Sequence, residues 1–82
     1  MAEISLTEMA NGARAKIVRI AGGVGLQRRL QAMGVRPGKT VTKCSDMFMR
    51  GPVVIQVDGT QVALGYGMAG KVIVDIEKRP GE

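Results

Sequence analysis

The sequence predicts a small all-β protein, about five strands curled into a barrel with one short helix capping an open end. Three observations carry that expectation. Val and Ile fall in short runs between glycine and proline turns, the habit of strands rather than helices. Asp58-Gly59 separates two β-branched runs, a strong signal for a two-residue hairpin loop. Residues 22–38 alone break the strand-like pattern, and there Leu26, Leu30 and Met33 recur at i, i+4 and i+7, one face of a helix. Closing the strands into a small barrel buries their apolar faces and protects their edges.

Composition narrows the class. The 82 residues are 45% hydrophobic, too many for a disordered chain and enough for one domain, expected over residues 1–76 with a polar tail at 77–82. One Tyr, one Phe and no Trp leave an aliphatic core. The single cysteine, Cys44, cannot form an intramolecular disulfide and reads as a small half-buried thiol in a reduced, cytoplasmic chain. With no His to activate it, a reactive role is not expected. No apolar run approaches the roughly 20 residues that span a bilayer, and Met-Ala-Glu-Ile-Ser lacks the features of a signal peptide, so no membrane insertion is expected. The net charge of +5 invites a nucleic-acid reading. The basic residues are spread, however, and no aromatic platform accompanies them, which favours a solvated basic surface.

Taken in order, Ser5-Leu6-Thr7-Glu8 has the spacing of a capping box and predicts one short helical turn, with Leu6 and Met9 folding down as a lid. Asn11-Gly12 marks a turn. Residues 13–20 predict the first strand. Ala15 and Ile17 share one face while Val18 and Ile20 share the other, which places a bulge near Ile17 and Val18. Gly22, Gly23 and Gly25 form a loop before the helix. The loop lacks the Lys-Ser/Thr of a P-loop, and Arg28 stands where a dinucleotide fingerprint needs Gly. Loop geometry explains it better than a phosphate cradle.

The helix is expected over residues 26–33, about two turns or roughly 12 Å. A helix that short is not stable alone, so Leu26, Leu30 and Met33 must pack on the barrel. Gly34 supplies a left-handed stop, and Val35-Arg36-Pro37-Gly38 a type II turn. Residues 39–44 predict a second strand with Val41 inward and Lys39 and Lys43 at its edges. A loop over 45–51 holds Met47-Phe48-Met49, either folded onto the core or exposed as an adaptable contact patch. The hairpin loop sets Val57 opposite Thr60, Ile55 opposite Val62 and Val53 opposite Leu64, with Gln56–Gln61 and Val54–Ala63 on the other side. Gly65-Tyr66-Gly67-Met68-Ala69-Gly70 predicts a tight connection of one 3₁₀ turn. Residues 71–76 form the last strand, with Val72, Val74 and Ile76 on one face and Ile73 and Asp75 on the other.

Catalytic chemistry is not expected. A hydrolase or transferase needs a nucleophile with a base, or paired carboxylates. His is absent, and Asp75 and Glu77 read as solvated acids at a strand end. No Cys/His cluster has zinc spacing. A binding module remains.

Nearly the whole chain carries matching positions: Leu6, Gly12, Ala15 and Ile17, then Arg29-Leu30-x-x-Met33-Gly34-x-x-Pro37-Gly38. Val41, Gly51-Pro52-Val53, Val57, Gly59, Val62-Ala63-Leu64, Met68-Ala69 and Ile73-Val74 follow. In these residues the chain resembles the FeoA family, small proteins of bacterial ferrous iron uptake. The resemblance implies an SH3-like barrel and a cytosolic accessory role beside the FeoB membrane GTPase transporter, exercised by direct protein contact. It implies an association with ferrous iron, but no tightly bound cofactor is expected in a chain without His and with Cys44 alone. Similar barrels form the C-terminal domain of iron-dependent repressors. No DNA-binding domain precedes this one, so a stand-alone repressor is not expected. The candidate contact residues are Gln27 and Arg28 on the outer side of the helix, Arg36 in the turn, and Met47, Phe48, Met49 and Arg50 on the loop. Arg29, Leu30, Met33, Gly34, Pro37, Gly38, Gly51 and Pro52 are read as structural, Arg29 through a hydrogen bond to a turn. The alternatives are a basic nucleic-acid-binding barrel and a metal-responsive sensor. A monomer or weak homo-oligomer is expected.

Overall fold

The computed structural model describes residues 2–46, without the side chain of Asp46, and residues 51–76. The Met47-Phe48-Met49-Arg50 patch and the tail at 77–82 lie outside the described residues. The elements are β1 (Glu3–Ser5), a 3₁₀ turn (Leu6–Glu8), β2 (Arg14–Ile20), α1 (Val24–Ala32), β3 (Thr40–Asp46), β4 (Val53–Val57), β5 (Thr60–Leu64), α2 (Tyr66–Ala69) and β6 (Val72–Asp75). The strands form one six-stranded sheet in the order β1-β6-β2-β3-β4-β5. Every neighbouring pair is antiparallel.

The β4–β5 hairpin has the expected register, from Val57 opposite Thr60 to Val53 opposite Leu64. Asp58 and Gly59 both have positive φ, 52° and 78°, as a type I′ loop demands. The bulge expected near Ile17 and Val18 is present: pairing of β2 with β6 shifts between Ile17 and Arg19. A second shift falls between Lys43 and Ser45 where β3 meets β4. Bulges bend strands and deepen their twist, and these two wrap the sheet around one aliphatic core. Ala15, Ile17, Val41, Val53, Ile55, Leu64, Val72 and Val74 supply that core from the strands.

The sixth strand, β1, was not expected. Glu3, Ile4 and Ser5 pair with Asp75, Val74 and Ile73, so its partner lies at the far end of the sequence. The capping box forms as expected, with the Ser5 N–H donating to Glu8 Oε1 at 3.1 Å. Leu6 and Met9 fold down into the core. The glycine-rich connection forms one short α-turn, α2, rather than a 3₁₀ turn.

Three expectations about side chains on β3 and at the end of β6 also fail. Lys43 does not sit at a solvent edge; it is 1% exposed. It lies two residues from Val41 on β3, and therefore on the same inward face. Its ammonium donates to the carbonyl oxygens of Met9 at 2.8 Å and Thr7 at 3.3 Å. A buried ammonium is tolerated only with such partners, so this contact pins the lid to the sheet. Asp75, expected in solvent, is also fully buried, and both residues are partnered within the fold. Ile76 does not share the face of Val72 and Val74: β6 ends at Asp75, the alternation stops there, and Ile76 is 38% exposed.

Candidate protein-contact surface

Helix α1 starts at Val24, two residues before its expected start. Gly23 caps it in extended conformation, and the Gln27 N–H donates to the Gly23 carbonyl at 3.1 Å. The Gln27 side-chain amide turns back to the Gly22 carbonyl at 3.1 Å. Ahead of this loop, the Ala21 N–H donates to the Lys71 carbonyl at 2.7 Å, tying the approach to the residue before β6.

The far end corrects the sequence reading. The helix stops at Ala32, and Met33 is its C-cap with φ −93° and ψ 3°. Gly34 then takes φ +85°. The Gly34 N–H reaches the Gln31 carbonyl at 2.9 Å, and the Val35 N–H reaches the Leu30 carbonyl at 2.9 Å. This pair of bonds is the Schellman motif, which brings the residue after the left-handed glycine onto the last helical turn. Val35 and Leu30 are accordingly both fully buried, while Met33 is 38% exposed. The inward side is therefore Leu30 and Val35, with Leu26 packed partly against the core; Met33 has left the helical wheel.

The outward side centres on Arg28. Val24, one turn earlier on that side, is 64% exposed, and Arg28 is exposed with it. Gln27 is half-buried, and its amide serves the loop. Arg29 is exposed, and the expected hydrogen bond to a turn is not made among the described residues. Arg36 is exposed in a turn where the Lys39 N–H donates to the Arg36 carbonyl at 3.2 Å. Gly38 sits there at φ +94°, and its N–H donates to the Ile17 carbonyl at 2.8 Å, which anchors the turn to β2. The structure thus groups Gln27 and Arg28 on α1 and places Arg36 beside Lys39.

Val24 and Met33 are contact candidates that sequence reasoning missed. Val24 lies outside the helix that the leucine spacing predicts, and periodicity assigns Met33 to the core. A glycine directly after Met33 was the available signal that the wheel ends there.

Chemically, the surface is a guanidinium beside exposed aliphatic side chains on a helix held from behind. That combination suits protein contact, where Arg is enriched. Among the described residues no three of His, Cys, Asp and Glu gather to hold a metal ion. The Cys44 thiol is half-buried and directed at the Thr42 carbonyl, 3.9 Å away. No helix among the described residues is long and apolar enough to cross a membrane.

The FeoA domain matches residues 4–76. A protein of Methanocaldococcus jannaschii carrying the name Fe(2+) transport protein A is 32% identical over 66 residues, which cover 80% of this chain and 78% of that one. The crystal structure of an iron uptake regulatory protein (FeoA) superposes with a TM-score of 0.82 at 36% identity, over 92% of this chain and 97% of the other. The zinc complex of FeoA from Stenotrophomonas maltophilia, described as a prokaryotic SH3 domain protein, gives a TM-score of 0.75 at 25% identity. That match covers 88% of this chain and 89% of the other.

Proposed function

Since the chain belongs to the FeoA family, which takes part in ferrous iron transport, we propose that it is a non-catalytic cytoplasmic accessory protein. It docks on the cytosolic part of a FeoB-type GTPase transporter and modulates uptake. The observation that carries this reading is the outward side of α1. Arg28 and Val24 stand exposed on a helix fixed from behind by Leu30 and Val35. Rigid presentation lowers the entropy lost on binding, and an Arg with apolar neighbours is a common interface anchor. The loop residues Met47, Phe48, Met49 and Arg50 are proposed as further contact residues.

The S. maltophilia relative, considered as a bacterial ferrous iron transport activating factor, supports a modulating role. Ferrous iron is here the cargo of the transporter, and no step runs through a metal resident in this chain. The test is co-purification with full-length transporter in GTP, in GDP and without nucleotide. Association in at least one state is expected. Failure to associate in all three overturns the proposal.

A further inference from the structure

A second charged face lies on the outer side of β2, β3 and β4. Arg14 and Lys16 are both exposed on β2, two residues apart and so on one face. Arg14 stands directly opposite Thr42, and Lys16 opposite Thr40. Thr42 is in turn opposite Gln56. Lys39 closes one end, with Arg36 three residues before it in the same turn. An open polar groove of about 640 Å³ runs along this face, lined by Arg14, Lys39, Thr40, Thr42, Gln56 and Asp58 among others; Lys16 and Arg36 flank it in sequence without lining it. Asp58, the acid among these lining residues, is held by the Lys39 ammonium at 2.8 Å. Arg14, Lys16 and Arg36 make no ion pair among the described residues. The face thus carries three cations that no acid among the described residues pairs.

We infer that this face binds an extended acidic segment of a partner protein. Alternate side chains on a strand stand about 7 Å apart, and the same interval separates alternate side chains of any extended peptide. Carboxylates in a Glu-x-Glu pattern therefore fall opposite Arg14 and Lys16. The hydroxyls of Thr40 and Thr42 and the amide of Gln56 line the floor and hydrogen-bond the peptide's polar groups. A nucleic-acid strand is less well served. Among the described residues no aromatic side chain lines the groove to stack a base. The face is separate from the outward side of α1, and the inference does not rest on the transporter being the partner.

The test uses fluorescence anisotropy of two labelled probes against the full chain: a twelve-residue peptide of alternating Glu and Ser, and a twelve-nucleotide single-stranded DNA. The peptide is expected to bind wild type at low salt. The double variant Arg14→Glu/Lys16→Glu is expected to weaken it about tenfold or more. Arg29→Glu/Lys71→Glu changes the net charge equally at two other exposed positions and is expected to stay within about twofold of wild type. Arg14→Gln/Lys16→Gln gives a second reading in case the reversed pair does not fold, and is expected to fall between wild type and the reversed variant. Equal losses in the two reversed pairs would reduce the effect to net charge and overturn the inference. Tighter binding of the DNA, lost with Arg14 and Lys16, would overturn it in favour of a nucleic-acid site.

Discussion

The N-terminal 3₁₀ turn and helix α1 are both too short to stand alone; both pack aliphatic side chains on the core, but their further anchors differ. The turn is pinned by a buried charge: the Lys43 ammonium reaches the Met9 and Thr7 carbonyls from the inner face of β3. The helix is held by aliphatic contact through Leu30, Val35 and part of Leu26, and by the backbone bonds of its Schellman end. A buried ammonium is specific about its partners, because any it loses must be replaced. Aliphatic contact asks only for shape. One region therefore spends its cation inside, on architecture. The other keeps Arg28, Arg29 and Arg36 at the surface, where they are open to a partner. Charge alone does not mark function in this chain; where the fold has placed the charge does.

Substitutions can break that contrast, and the largest effect is expected at Lys43. Lys43→Ala removes the pin and leaves buried carbonyls without a donor, for an expected loss of about 3–5 kcal/mol by urea denaturation. Lys43→Met restores the volume but not the hydrogen bonds, so the loss that remains isolates the polar part. A cost below about 1 kcal/mol for Lys43→Ala would place this contact with exposed ion pairs and erase the contrast. Next comes Leu30→Ala at about 3 kcal/mol, from lost burial and the cavity left behind.

The Schellman end is subtler. At φ +85°, Gly34→Ala forces a side chain into the left-handed region at about 1 kcal/mol. In a domain of this size that lowers the Tm by roughly 4–8 °C, which calorimetry resolves. An unchanged Tm would mean that the helix end relaxes without strain. The smallest effect is expected at Arg28, where Arg28→Glu should change stability by less than about 0.5 kcal/mol. A larger loss would show that Arg28 supports the fold and would remove it from the contact surface.

What was legible in the sequence was what local chemistry decides. Asp58-Gly59 announced both the turn type and the register of β4 and β5. Gly34 and Gly38 announced left-handed positions, and the change of buried face between Ile17 and Val18 announced the β2 bulge. What was not legible depends on distant partners. Three residues are too few for Glu3–Ser5 to signal a strand, and it exists because β6 returns to pair with it. Lys43 and Asp75 look like surface residues in any local window; only the closed fold supplies what buries them. Met33 and Val35 exchange roles because periodicity does not see where a helix stops. For the candidate surface, Arg28 was readable from the helical wheel, but Val24 was not, since the helix begins earlier than its leucines suggest. The groove between β2 and β4 was hidden for a further reason: Arg14, Lys39, Thr42 and Gln56 come from three strands and a turn, and only pairing brings them side by side.

The most direct measurement of the central claim is retention of the full-length FeoB-type transporter on the immobilised chain, wild type against Arg28→Glu, with thermal unfolding of both run alongside. The account predicts that wild type retains the transporter and that Arg28→Glu loses most of it at an unchanged Tm. Equal retention by the two proteins would contradict the claim that the outward side of α1 is the docking surface.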